Sequence, residues 1–144
     1  MRTLAGAVLG YVVVSVVVFA ALSIGFRAVG PDLAFRPGTY EASGAWIAVS
    51  FLIGFAAALA GGRVAGLVAP GGRAVVALAT VLFALGVLFA LAPVLTELPP
   101  IAARPVGPLD VTAAMQNART PAWVGFVNPF VGAAGVLIGG RRRR

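Results

Sequence analysis

Asn128 and Pro129 stand side by side inside an apolar run, and no other pair in the chain brings so much chemistry into so little space. Proline has no N–H to give to the carbonyl four residues back, and its ring crowds that turn. Gly125 occupies the crowded position, and the Asn128 amide can both donate and accept. Ser50 is its counterpart in another run: counted at about 1.5 Å per residue from the nearer helix ends, both lie roughly 10 Å deep. The spacing predicts a kink with a polar clamp, Asn128 meeting Ser50 across two helices. The functional alternative makes Ser50, Asn128 and Pro129 the floor of a small outward-facing pocket. The remaining hydroxyls in apolar runs, Ser15, Ser23 and Thr80, are expected to bond a carbonyl one turn back.

Catalysis has little else to draw on. Cysteine and histidine are absent, which removes thiolate nucleophiles, sulfur metal sites and the usual proton carrier near neutral pH. The four acids, Asp32, Glu41, Glu97 and Asp110, lie in two connecting segments at spacings that bring no two together. Arg27, Arg36, Arg104 and Arg119 balance them there, the pattern of a solvated face. Apart from Arg63, close to a helix end, no ionisable group falls within an apolar run, which argues against an ion-coupled transporter. Gly61-Gly-Arg and Gly71-Gly-Arg lack the Lys-Ser/Thr ending and the preceding strand of a phosphate-binding loop. No cofactor or metal is expected, and the reading is non-enzymatic.

The elements that must hold Ser50 and Asn128 are membrane helices. The chain of 144 residues is 60% hydrophobic and only 10% charged, where a soluble domain carries about 25%. Its mean hydropathy is +1.02. Helices are predicted over about 4–26, 44–68, 73–95 and 121–140, each long enough to cross a hydrocarbon core of about 30 Å. The fold class is therefore all-α, a polytopic four-helix transmembrane bundle forming a single domain over 1–144, with outer loops at 27–43 and 96–120. The first run is too long for the 7–15 residues of a signal-peptide core, so it is expected to stay as an anchor. Ala69-Pro-Gly-Gly72 forces the second and third helices into an antiparallel hairpin. Pro121 suits the first turn of the fourth helix. Leu109 to Ala118 suggests a short surface helix capped by Asp110.

Small residues supply the contacts between these helices. Gly54, Ala58, Gly62 and Gly66 recur every fourth position, a stripe that lets a neighbouring backbone approach closely. Gly6 and Gly10, Gly86, and Gly132, Gly135 and Gly139 mark the matching faces of the other helices. The second helix is thus expected at the centre, meeting the first at Gly6 and Gly10 and the fourth at Gly132, Gly135 and Gly139.

Arginine sets the orientation. Arg2, Arg63, Arg73 and Arg141, Arg142, Arg143 and Arg144 fall on one side, and only four Arg fall on the other. The positive-inside rule then puts both termini in the cytoplasm. Tyr40, Trp46 and Trp123 mark the outer ends, at the depth that such rings prefer. The Arg141–Arg144 run is expected to anchor the chain on anionic lipid headgroups, at about 1 kcal/mol per Arg. Nucleic acid is not expected, since no basic surface with interleaved aromatics exists.

Phe35-Arg-Pro-Gly-Thr-Tyr-Glu41, Trp46, Ala60-Gly-Gly-Arg63, Asn117-Ala-Arg-Thr-Pro-Ala-Trp123, Asn128-Pro129 and Gly132-Ala-Ala-Gly135-Val-Leu-Ile-Gly139 together resemble small, uncharacterised four-helix membrane proteins of bacteria. That resemblance covers nearly the whole chain and implies the bacterial inner membrane, with no activity or ligand attached. The functional expectation is a structural, accessory or assembly subunit with the lipid bilayer and other membrane subunits as partners. The alternative is a small uncoupled transporter or pore acting as a homo-oligomer.

Overall fold

The computed structural model describes residues 1–96, 100–101, 103–104 and 111–141. Within them the chain is all-helical: α1 (Arg2–Val29), α2 (Pro31–Ala34), α3 (Gly44–Val68), α4 (Arg73–Leu95), α5 (Val111–Asn117) and α6 (Ala122–Gly139). Helices α1, α3, α4 and α6 are long and apolar enough to cross a membrane. The predicted limits of the second and third long helices coincide with α3 and α4. α1 begins two residues sooner and ends three later than its apolar run. Arg27 is tolerated in its last turn, where the helix dipole favours a cation, and Gly30 at φ 77° then stops the helix. Pro121 caps α6 from outside, with an extended ψ of 142°, and does not join its first turn. The cap expected from Asp110 lies outside the described residues.

α1 packs against α3 and α4, α6 packs against α3 and α4, α3 and α4 meet less, and α1 and α6 do not meet. The tight connection expected between the second and third helices is present, but the pair packs together over less of its length than the other neighbouring pairs. α3 and α4 are joined by residues 69–72, yet they sit across the bundle from one another and touch near their connection, where Gly66 approaches Val75. Four extended residues reach about 14 Å. That is enough to cross the diagonal of helices packed about 8–10 Å apart. Positive φ at Gly71 (113°) and Gly72 (80°) gives the connection its sharp reversal.

One end of the bundle is closed by backbone contact. A Cβ at Gly62 would run into the Val136 carbonyl, and one at Gly139 into the Leu59 carbonyl, so α3 and α6 cross with nothing between them. On the other side of α3, Gly61 faces Gly10 and Val14 of α1. Between these seams Ala58, Ala65, Ala74, Val75, Leu78 and Val136 form the main core, with Leu78 at 1% and Val136 at 0% exposure. In a membrane such close packing stands in for the hydrophobic effect, because lipid tails are as apolar as the side chains they touch.

The opposite end is closed by rings and loop hydrogen bonds. Phe26, Phe35, Tyr40 and Ala114 cluster under Trp46, with Phe26–Phe35 and Phe35–Tyr40 ring pairs at 5.8 and 5.6 Å, both edge to face. Ser43 caps α3: its Oγ accepts from the Trp46 N–H at 3.1 Å and donates to the Leu33 carbonyl at 2.5 Å. The two long connecting segments are stitched together. The Arg119 N–H donates to the Tyr40 carbonyl, the Ala42 N–H to the Arg119 carbonyl, and the Arg104 N–H to the Gly38 carbonyl. Arg104 also pairs with Asp32 at 2.6 Å, and Arg36 with Glu41 at 3.2 Å. Part of the balanced loop charge thus ties a cap together.

Candidate binding cavity among the four long helices

Between the two closed ends the four long helices leave a half-open cleft. A cavity of about 420 Å³ is walled by Tyr11, Val14, Val18 and Leu22 of α1, by Ser50, Gly54 and Ala58 of α3, by Leu82, Leu85, Gly86 and Phe89 of α4, and by Asn128, Pro129, Val131 and Gly132 of α6. Its existence follows from residue size along the α3–α6 seam. Nearer the ring-capped end Phe51 and Trp123 pack ring against ring at 6.0 Å, so the helices stand farther apart there. At Ala58 and Gly135 a Cβ would lie only 2.7 Å from its neighbour, so the helices are close. Gly54 and Gly132 lie between those levels, and with only hydrogen for a side chain they leave the gap open.

The two roles given to Gly54 and Gly132 therefore have to be revised. A Cβ built at either would meet nothing within 4 Å beyond its own helix, so they are cavity wall and not a packing seam. The other small residues do sit in close contacts. Gly6 lies against Ala65, Ala69 and Ala74, and Gly10 against Leu78 and Gly61. Ala58 meets Gly135, Gly66 approaches Gly140, and a Cβ at Gly86 would lie 2.8 Å from the Pro129 ring. Gly61 and Ala65 of α3, with Ala69 just past its end, form a second stripe facing α1, one residue out of phase with the stripe read from the sequence. Its fourfold spacing was equally visible, since Ala57, Gly61, Ala65 and Ala69 are all small.

Ser50 and Asn128 face the same cavity, as their equal depth required, but the structure records no hydrogen bond between them. Neither side chain bonds any other described group, and Ser15, Ser23 and Thr80 likewise make no side-chain bond to the carbonyl one turn back. The clamp is thus replaced by two polar groups presented to an open space. Pro129 is buried, and its ring is seated on Gly86, which lets α4 and α6 approach in spite of it.

The cavity has a floor, a side and a roof. Leu78 and Val136 lie buried below Ala58 and Leu82. Tyr11 and Leu85 are shared with an apolar groove of about 330 Å³ between α1 and α4, lined by Leu4, Ala7, Val8, Leu78 and Val81. Leu22 is shared with a smaller space of about 100 Å³ beneath the ring cluster, bounded by Ser23, Phe26, Phe35 and Trp46. Among the described residues, no carboxylate, guanidinium or amine lines any of the three. Among the described residues no group of three His, Cys, Asp or Glu gathers anywhere. The walls are suited to holding a neutral, mainly apolar molecule by contact and one or two hydrogen bonds. Of the Arg run only Arg141 is described, directly after α6; Arg142, Arg143 and Arg144 lie outside the described residues.

No family model matches the chain, and no curated protein or solved structure is similar to it.

Proposed function

We propose that the chain is a four-pass protein of the bacterial inner membrane, with both ends cytoplasmic, acting as a non-enzymatic accessory or assembly subunit. It is akin to the small four-helix bacterial membrane proteins that its motifs resemble. The carrying observation is the outer surface. Leu4, Leu52, Leu67, Leu88 and Phe130 are exposed on the long helices, while the helices meet through glycine and alanine. Such an inside-out distribution suits lipid as solvent and would drive aggregation in water. Arg2, Arg73 and Arg141 gather at the end closed by Gly62 and Gly139, which supports that end as the cytoplasmic one. Alkaline phosphatase fused after Arg144 should be inactive, and the same enzyme inserted at Gly38 active; the reverse pattern would overturn the topology. A pull-down from native membranes should bring a larger complex with the chain.

One observation favours a second reading, the uncoupled transporter. A cavity bounded by all four helices is a place for cargo, and cysteines at positions 50 and 128 would test water access in this Cys-free chain. The packed floor at Leu78 and Val136 supports a blind pocket over a through path within one copy.

A further inference from the structure

We propose that the cavity is a binding site for a neutral, single-chain lipid with a hydroxyl head, a long-chain alcohol that enters from the bilayer between α1 and α4. Three features of the walls select this chemistry. The first is polarity. Asn128 offers two N–H donors and a carbonyl acceptor, and Ser50 offers a hydroxyl, and none of these is bonded to another described group. At membrane depth there is no bulk water to satisfy them, so a partner that both donates and accepts is favoured, and a hydroxyl does both.

The second feature is charge. No ionised side chain lines the cavity, so a headgroup bearing phosphate, carboxylate or ammonium would be buried without a counter-ion, at a steep penalty. Ordinary phospholipids are excluded on this ground. The third is size and access. The space, about 420 Å³, runs along one face of each of the four long helices, a shape suited to a slender chain. Tyr11 and Leu85 belong both to this cavity and to the apolar groove on the α1–α4 face. α1 and α4 press together at Gly6–Ala74 and Gly10–Leu78, so a chain would enter above those contacts. The site is also built by absence: Gly54 and Gly132 keep open a space that any larger residue would fill.

This inference rests on the membrane reading, and its test is made on the full chain reconstituted in lipid nanodiscs. The probe is tetradecanol carrying a diazirine on its chain, with photolabelled residues located by peptide mass spectrometry. Labelling is expected at wall residues such as Val14, Val18, Ser50, Leu82, Leu85 and Val131, and not at their outward neighbours. Unlabelled tetradecanol should compete at least tenfold better than tetradecane, which lacks the hydroxyl. Asn128→Leu should cut labelling about tenfold with no fall in melting temperature. Gly54→Leu, which fills the space, should abolish labelling with the melting temperature held or raised; Gly132→Leu repeats this from α6 should the first variant fold poorly. Labelling confined to outward residues such as Leu52 and Leu88, or surviving in either folded glycine variant, would sink the site and leave the membrane topology standing. Mass spectrometry of protein taken from native membranes decides the source. A co-purifying neutral alcohol supports the bilayer, and probe binding without one overturns that source in favour of a molecule of the same chemistry from outside.

Discussion

At Gly62 and Gly139 a glycine is pressed against a neighbour's carbonyl, whereas at Gly54 and Gly132, only a few turns along the same two helices, a glycine faces open space. The residue type and the fourfold spacing are shared; the outcome is opposite. The distance between α3 and α6 makes the difference. Where Ala58 meets Gly135 the backbones touch, and where Phe51 meets Trp123 two ring systems stand between them. A small-residue stripe therefore marks where a helix could be approached closely. Whether it is approached depends on the bulk of the residues that set the spacing above and below.

Enlarging the two kinds of glycine gives the sharpest test of this contrast. Gly62→Leu would force side-chain carbons into the Val136 backbone, which cannot move without parting α3 from α6. We expect destabilisation of about 3 kcal/mol or more, seen as loss of monodisperse protein in mild detergent. A folded, unshifted Gly62→Leu would mean that the seam is looser than its geometry. The ring-capped end depends on side-chain hydrogen bonds, so Ser43→Ala should cost about 1 kcal/mol in a denaturant titration, through loss of the α3 cap. No loss there would leave the rings alone to hold that end. The smallest effect, and the one of opposite sign, is Gly54→Ala. It meets no neighbour and removes a helix-interior glycine, so stability should rise by about 0.5–1 kcal/mol. A fall would place another helix against Gly54 and erase the contrast.

Much of the helical framework was legible because its punctuation is chemical. Ser43 before the second run and Pro70-Gly-Gly72 after it fix α3 and the start of α4 by capping and by φ, which are local effects. The common depth of Ser50 and Asn128 could be counted from helix rise alone, and they do line one cavity. The missing bond between them could not be foreseen, because it depends on how far apart two helices stand, and that is decided by Phe51, Trp123, Ala58 and Gly135 together. The partner of each stripe was equally out of reach. Gly61 and Gly62 look alike in sequence, and only the placement of α1 and α6 around α3 gives them different neighbours. The stitching of the two long connecting segments is non-local as well: Tyr40 and Arg119 are joined through backbone groups, which every sequence carries.

Gly61, Gly62 and Arg63 follow one another on a single turn of α3, the first against α1, the second against α6, and the third exposed. At about 100° per residue, a slip of α3 by one position rotates the next side chain in sequence onto each seam. Slipped one way, Arg63 would be driven at Val136; slipped the other, Gly61 would leave α1 and Ala60 would take its place against Gly10. Either slip sets a side chain where only hydrogen fits. The vertical alignment of three helices is thus keyed by three consecutive letters, much as a single notch indexes a shaft against the two gears that flank it.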